Sequence, residues 1–219
     1  MSDDLDFVHR FEPASTPDAP TLLLLHGTGG DEHDLVPLGR LLAPRAALLS
    51  PRGRVSENGM PRFFRRLAEG IFDLDDLVAR AAELGDFVGQ AAGRYDLDPT
   101  RIIAVGFSNG ANIAAAVMLL HPAVLRGGLL FAPMVPIEPD EVPDLSGRGV
   151  FIGAGRADPI APAEQAERLA ILLADAGAAV ELAWHPGGHQ LDRGQADKGR
   201  GWLTKFLAAT ATDGARPLP

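Results

Sequence analysis

No cysteine occurs among the 219 residues. That absence removes every disulfide, every thiolate metal site and any Cys nucleophile, and with them the disulfide-stapled secreted scaffolds. Basic charge is also scarce, with 20 Lys and Arg against 29 Asp and Glu and a formal net charge of −9. A nucleic-acid footprint needs a dominant basic face, so no nucleic-acid partner is expected. The leading Met-Ser-Asp-Asp-Leu-Asp lacks the basic and apolar regions of a secretory signal. The one long uncharged stretch, 102–125, holds Gly106, Ser108, Asn109, Gly110, Asn112, His121 and Pro122, which lipid would penalise. No membrane span is expected, and the cytoplasm is the default location.

What is present is 46% apolar and 22% charged residue content, which is the composition of a packed chain. The length suits one domain over 1–219. A fully apolar run at 21–25 predicts a buried strand, followed by a helix over 31–43 with Leu35, Leu38, Leu41 and Leu42 on one side. A second strand spans 45–50. The clearest helix is 75–95, where Leu77, Ala81, Leu84, Val88, Ala91 and Tyr95 recur at three-to-four spacing. Strands follow at 101–107, 127–131, 150–154 and 180–184, with helices at 109–120, 164–176 and 197–209 and a frayed tail at 210–219. Apolar strands alternating with amphipathic helices predict an α/β fold, a mostly parallel central sheet with helices on both faces. The segment 51–74 has no clean period and is expected to form a loop or cap, so any lid is minimal.

Gly106-Phe107-Ser108-Asn109-Gly110 is a G-x-S-x-G sequence between a predicted strand and a predicted helix. A Ser on so tight a turn is held in strained geometry with its hydroxyl exposed, and its neighbours two residues away must be tiny. Asn109 opens the helix, so its backbone N–H points at charge developing on a bound carbonyl oxygen. A second donor is expected from His26-Gly27-Thr28-Gly29-Gly30, where Thr28 is the candidate.

A Ser nucleophile needs a base and an orienting acid, and in this strand-turn-helix context they follow in the order acid, then His. Asp158, in Gly155-Arg156-Ala157-Asp158-Pro159, and His189, in Pro186-Gly187-Gly188-His189, both lie past carboxyl ends of predicted strands. Asp140 and Asp144 fall in a Pro-rich stretch, Asp192 follows the His, His185 sits too close to its strand, and His121 is at a helix end. His185 and His189 are separated by Pro-Gly-Gly, which forbids the helix that would align them on a metal. Gly27 to Gly30 is not followed by the Lys-Ser/Thr of a phosphate loop. Neither metal nor cofactor is expected.

The motifs Leu25-His26-Gly27-Thr28-Gly29-Gly30 and Gly106-Phe107-Ser108-Asn109-Gly110, with Asp158 and Gly188-His189, resemble the phospholipase/carboxylesterase family of α/β-hydrolases, which includes acyl-protein thioesterases. Ser50-Pro51-Arg52-Gly53 with Glu57-Asn58-Gly59-Met60-Pro61-Arg62-Phe63-Phe64 is similar to a bacterial branch containing hydroquinone-associated carboxylesterases. The resemblance implies an α/β-hydrolase fold, Ser108 as nucleophile, His189 as base, Asp158 as orienter, and Thr28 and Asn109 as oxyanion donors. Acyl-protein thioesterases usually carry Gln where this chain has Asn109, and Trp where it has Phe63 and Phe64. Those departures bear on depalmitoylation more than on ester chemistry, since the oxyanion donor is a backbone group.

The expected activity is hydrolysis of small carboxylic esters through an acyl-enzyme. A lysophospholipase or acyl-thioesterase would use the same groups, and a non-catalytic ligand receptor on the same fold would have no use for all three. A small-molecule ester is the expected partner, and a homodimer is compatible with the sequence. Met60, Phe63 and Phe64 are expected to wall the site, with one Phe packed inward and the other meeting substrate.

Overall fold

The computed structural model describes residues 5–213. The chain opens with β1 (His9–Glu12), β2 (Thr21–Leu25), α1 (Val36–Leu42) and β3 (Ala47–Pro51). Two small hairpins follow, β4 (Val55–Glu57) with β5 (Met60–Arg62) and β6 (Arg66–Ala68) with β7 (Ile71–Phe72). The remainder is α2 (Leu74–Tyr95), β8 (Ile102–Phe107), α3 (Asn109–Leu120), β9 (Gly127–Phe131), β10 (Gly149–Gly155), α4 (Ala163–Asp175), β11 (Ala179–His185) and α5 (Arg193–Asp213).

Seven strands form one sheet in the order β1-β3-β2-β8-β9-β10-β11, parallel except for the antiparallel edge strand β1. Side chains alternate between its faces. Leu23 and Leu25 join the core under α2, α3 and α4, while Leu22 and Leu24 join the core under α1 and α5. Burying each of these leucines stabilises the fold by roughly 1.5–3 kcal/mol. A strand apolar on both sides must be covered on both sides, which is why 21–25 reads as a continuous leucine run. After β2 the chain goes to β3 on one side and later to β8 on the other. The crevice between β2 and β8 is thus a switch point, the place where ligands bind in open α/β sheets.

Besides the two hairpins in 51–74, the elements depart from the expected ones at α1, at both ends of α5 and at β1. α1 begins at Val36 and not at 31, because Asp31 accepts the His33 N–H (2.8 Å) in a turn and Pro37 sets the start of the helix. α5 begins at Arg193, four residues before the expected 197, because Asp192 accepts the Gln195 N–H (2.7 Å) as a cap. It runs on through 210–213, so the frayed tail does not start at 210; positions 214–219 lie outside the described residues. β1 is not legible in the sequence, since a half-exposed four-residue edge strand carries no clean apolar alternation.

Candidate active site

Ser108 joins β8 to α3 at φ 52° and ψ −116°, a region that costs a non-glycine residue about 1–3 kcal/mol. Both glycines of the motif are forced by contact. A Cβ on Gly110 would stand 1.9 Å from the Leu25 carbonyl oxygen, and one on Gly106 would stand 2.6 Å from the Ala111 backbone. The turn is tied on both sides: the Ser108 N–H donates to the Phe131 carbonyl (2.9 Å), and the Ser108 carbonyl accepts the Asn112 N–H (2.9 Å). Surroundings, not the serine, hold the strain.

His189 and Asp158 converge on this turn from the loops after β11 and β10. The Ser108 hydroxyl lies 2.8 Å from His189 Nε2, and His189 Nδ1 lies 2.7 Å from Asp158 Oδ2. A carboxylate only accepts, so the proton belongs on Nδ1 and Nε2 is left to receive the Ser108 O–H. The other Asp158 oxygen accepts the N–H groups of Ile160 (2.8 Å) and Ala161 (2.9 Å), which orients the buried carboxylate. The two loops are tied together by the Arg156 N–H on the His185 carbonyl (2.9 Å) and the Ala157 N–H on the Gly187 carbonyl (3.1 Å). The alternative groups stand elsewhere. Asp192 caps α5, Asp144 accepts the Ser146 N–H (2.8 Å), and His121 ends α3.

Asn109 is the first residue of α3, where helix geometry leaves the N–H without an intrahelical acceptor. Thr28 sits across the crevice in the loop after β2. Among the described residues, no loop or cap hydrogen bond uses the N–H of either one. Their side chains are engaged differently: Asn109 Oδ1 accepts the Phe63 N–H (2.7 Å), and Thr28 Oγ1 accepts from Arg62 Nη1. Neither side-chain role was foreseen. His26 was also missed: it is fully buried, with Nδ1 2.6 Å from the Gly27 carbonyl and Nε2 accepting the Gly53 N–H at 2.9 Å. Burial pushes its imidazole below the usual histidine range, with the Gly27 bond partly opposing.

Ser108, His189 and Thr28 open into a cavity of about 410 Å³, lined also by Leu35, Phe107 and Ile160 and by the charged Asp34, Arg66 and Glu69. None of Met60, Phe63 and Phe64, the expected wall, is in the lining of this cavity. Phe63 is 3% exposed and packs on His26, and Phe64 is wholly buried edge-on against Phe72. The opposite-facing rule for extended residues fails because positions 63 and 64 form a bend between β5 and β6, and both rings enter the core. Met60 is exposed but lies against Gly29, outside the cavity lining. Arg66 and Glu69, from the second hairpin, are what 51–74 contributes to the cavity. Among the described residues no group of three or more His, Cys, Asp or Glu is placed to hold a metal, and no helix is long and apolar enough to cross a membrane.

A mostly parallel sheet with a serine elbow at its switch point defines the α/β-hydrolase class. The dienelactone hydrolase family matches residues 71–198. "Putative hydrolase MhqD" of Bacillus subtilis is 52% identical over 186 residues, covering 85% of this chain and 93% of that protein. The Bacillus cereus carboxylesterase superposes with a TM-score of 0.89 at 47% identity, over 90% of this chain and 93% of that one. A Mesorhizobium loti carboxylesterase does so at 0.84 and 35%, over 89% and 93%. The chain belongs to the dienelactone hydrolase family and is a hydrolase of the carboxylesterase type.

Proposed function

We propose that the protein is a serine carboxylesterase that hydrolyses small, uncharged carboxylic esters through an acyl-enzyme. One observation carries this reading: Asp158, His189 and Ser108 form a continuous hydrogen-bonded chain that ends in the open cavity. Ser108 Oγ attacks the ester carbonyl carbon while His189 Nε2 takes the hydroxyl proton. The tetrahedral oxyanion is held by the N–H groups of Thr28 and Asn109. As the carbon–oxygen bond to the alcohol breaks, His189 returns the proton to the departing oxygen. Water, deprotonated by the same imidazole, then attacks the acyl-Ser108 and frees the acid. Asp158 accepts the His189 Nδ1–H and keeps the imidazole in its working tautomer.

The cavity wall favours esters over lysophospholipids. Its only cationic side chain, Arg66, is committed to Glu57 at 2.8–3.1 Å, whereas Asp34 and Glu69 have no basic partner among the described residues. A phosphate brought to Ser108 would meet two carboxylates and no uncommitted cation. An acyl group on a protein cysteine places no such charge at the cavity, so acyl-thioesterase activity is the second reading.

The test is a panel of esters, thioesters and lysolipids assayed with wild type and Ser108→Ala, alongside fluorophosphonate labelling. Small esters are expected to be turned over fastest, Ser108→Ala to lose at least about 10⁴-fold, and the label to map to Ser108. Retention of more than a tenth of the activity in Ser108→Ala overturns the assignment. A folded protein that takes no label and turns over nothing supports the receptor reading instead.

A further inference from the structure

Three consecutive residues reach both sides of the crevice. The Pro61 carbonyl accepts the Gly29 N–H at 2.9 Å, the Arg62 guanidinium donates through Nη1 to the Thr28 hydroxyl, and the Phe63 N–H donates to Asn109 Oδ1 at 2.7 Å. Two of these bonds fall on the loop after β2 and the third on the first residue of α3. The same tripeptide therefore links the two residues assigned above as oxyanion donors. The loop needs such a hold, since Gly27-Thr28-Gly29-Gly30 restrains little by itself and Gly29 sits at φ 85°.

Arg62 is costly to keep where it is. Its side chain is 4% exposed, and burying a guanidinium carries a desolvation penalty that an apolar residue of similar size would avoid. The fold compensates with the Phe64 carbonyl (3.1 Å from Nε), a Glu57 carboxylate oxygen (3.2 Å from Nε) and the face of the Phe64 ring. The strap is also pinned from behind. A Cβ on Gly53 would stand 2.3 Å from the Arg62 carbonyl, and the Gly53 N–H donates to His26 in the oxyanion loop. Glu57, Phe64, Gly53 and His26 do not line the cavity, so substrate binding does not account for their contacts.

We propose that Pro61-Arg62-Phe63 is the brace of the oxyanion hole and that Arg62 is a positioning residue, fixing Thr28 through its hydroxyl so that the Thr28 N–H meets the developing oxyanion. The proposal rests on the catalytic reading given above for Ser108, Thr28 and Asn109. Losing one aligned oxyanion donor typically lowers kcat by 10²–10³, so misaligning one is expected to lower it by about 10–100-fold.

The test compares Arg62→Gln, Thr28→Val, their double variant and Ser108→Ala. Active sites are counted by the end point of fluorophosphonate labelling, kcat and KM are measured on a small ester, and Ki on a trifluoromethyl ketone. That inhibitor forms a hemiketal oxyanion with a catalytic serine and so reports the hole directly. Arg62→Gln is expected to lower kcat per labelled site by about 10–100-fold, with KM changed less than about threefold and Ki weakened by the same factor as kcat. The double variant is expected to be no worse than the worse single one, because both remove one bond. A lowered Tm with unchanged per-site kcat and Ki makes Arg62 a purely structural residue and overturns the proposal, as do additive losses. If Arg62→Gln does not fold, Thr28→Val decides alone, since it keeps the N–H and removes only the acceptor. An active Ser108→Ala would sink the catalytic reading itself, whereas an inactive one beside an unaffected Arg62→Gln sinks only the brace.

Discussion

On one side of Ser108, the groups that would move protons stand just beyond strand ends and are fixed within their own loops. Asp158 is oriented by N–H groups two and three residues further along, and the His189 loop is bonded to the neighbouring one at Arg156 and Ala157. On the other side, the groups that would hold the oxyanion are main-chain N–H groups. Their positions depend on bonds from 53–63, far off in sequence. The first half is specified by side-chain chemistry and the second by mechanical support. Substitutions should accordingly fail in different ways on the two sides.

The largest effect is expected on the proton-moving side. Asp158→Asn should lower kcat/KM by about 10³–10⁴-fold, because the imidazole loses the partner that sets its tautomer. Asp192→Asn, at a helix cap, should stay within a few-fold of wild type on the same ester. The reverse pattern would move the acid to Asp192 and undo the contrast.

On the supporting side, Phe64→Ala should cost about 3–5 kcal/mol of stability by denaturant unfolding, as expected for a wholly buried ring. Its relative rates on acetate, butyrate and octanoate esters should match wild type. A changed chain-length profile would return Phe64 to the substrate wall.

A smaller effect is expected at Ile160, which lines the cavity and is 39% exposed. Ile160→Ala should leave unfolding nearly unchanged while lowering the octanoate-to-acetate ratio of kcat/KM roughly five- to tenfold. An unchanged ratio would show that the acyl chain lies elsewhere.

The smallest effect concerns pH. His26 is held neutral by burial and accepts the Gly53 N–H, so its folded pKa lies below its unfolded value near 6.5. As pH falls through 6.5 the unfolded chain takes up the proton first, and stability declines until the folded group also titrates. Wild-type Tm should therefore fall between pH 7.5 and 5 more steeply than that of His26→Gln. Parallel curves would show that His26 does not contribute.

Legibility in the sequence follows the same division. The meeting of Ser108, Asp158 and His189 is legible because strand ends in a parallel sheet put local motifs at one edge. The leucine run of β2 and the repeating face of α2 were readable because burial on two sides or one imposes a period. The hairpins of 51–74 were not read, although one signal was there: Asn58-Gly59 occupies a two-residue turn with φ 53° and 83°, the preference of a type I′ hairpin. What no local pattern announced is that Arg62 and the Phe63 N–H face inward onto Thr28 and Asn109. Those bonds join residues 34 and 46 positions apart, and only the folded sheet brings them together.

On the catalytic role proposed for Ser108, its backbone sets activity and durability against each other. At φ 52° and ψ −116° a glycine would sit more easily than any L-residue with a side chain. Ser108→Gly is thus expected to raise the melting temperature while abolishing hydrolysis. A selection for heat resistance alone would drift toward an inert protein at this position, so any thermal screen of this hydrolase has to be run with turnover as a second gate.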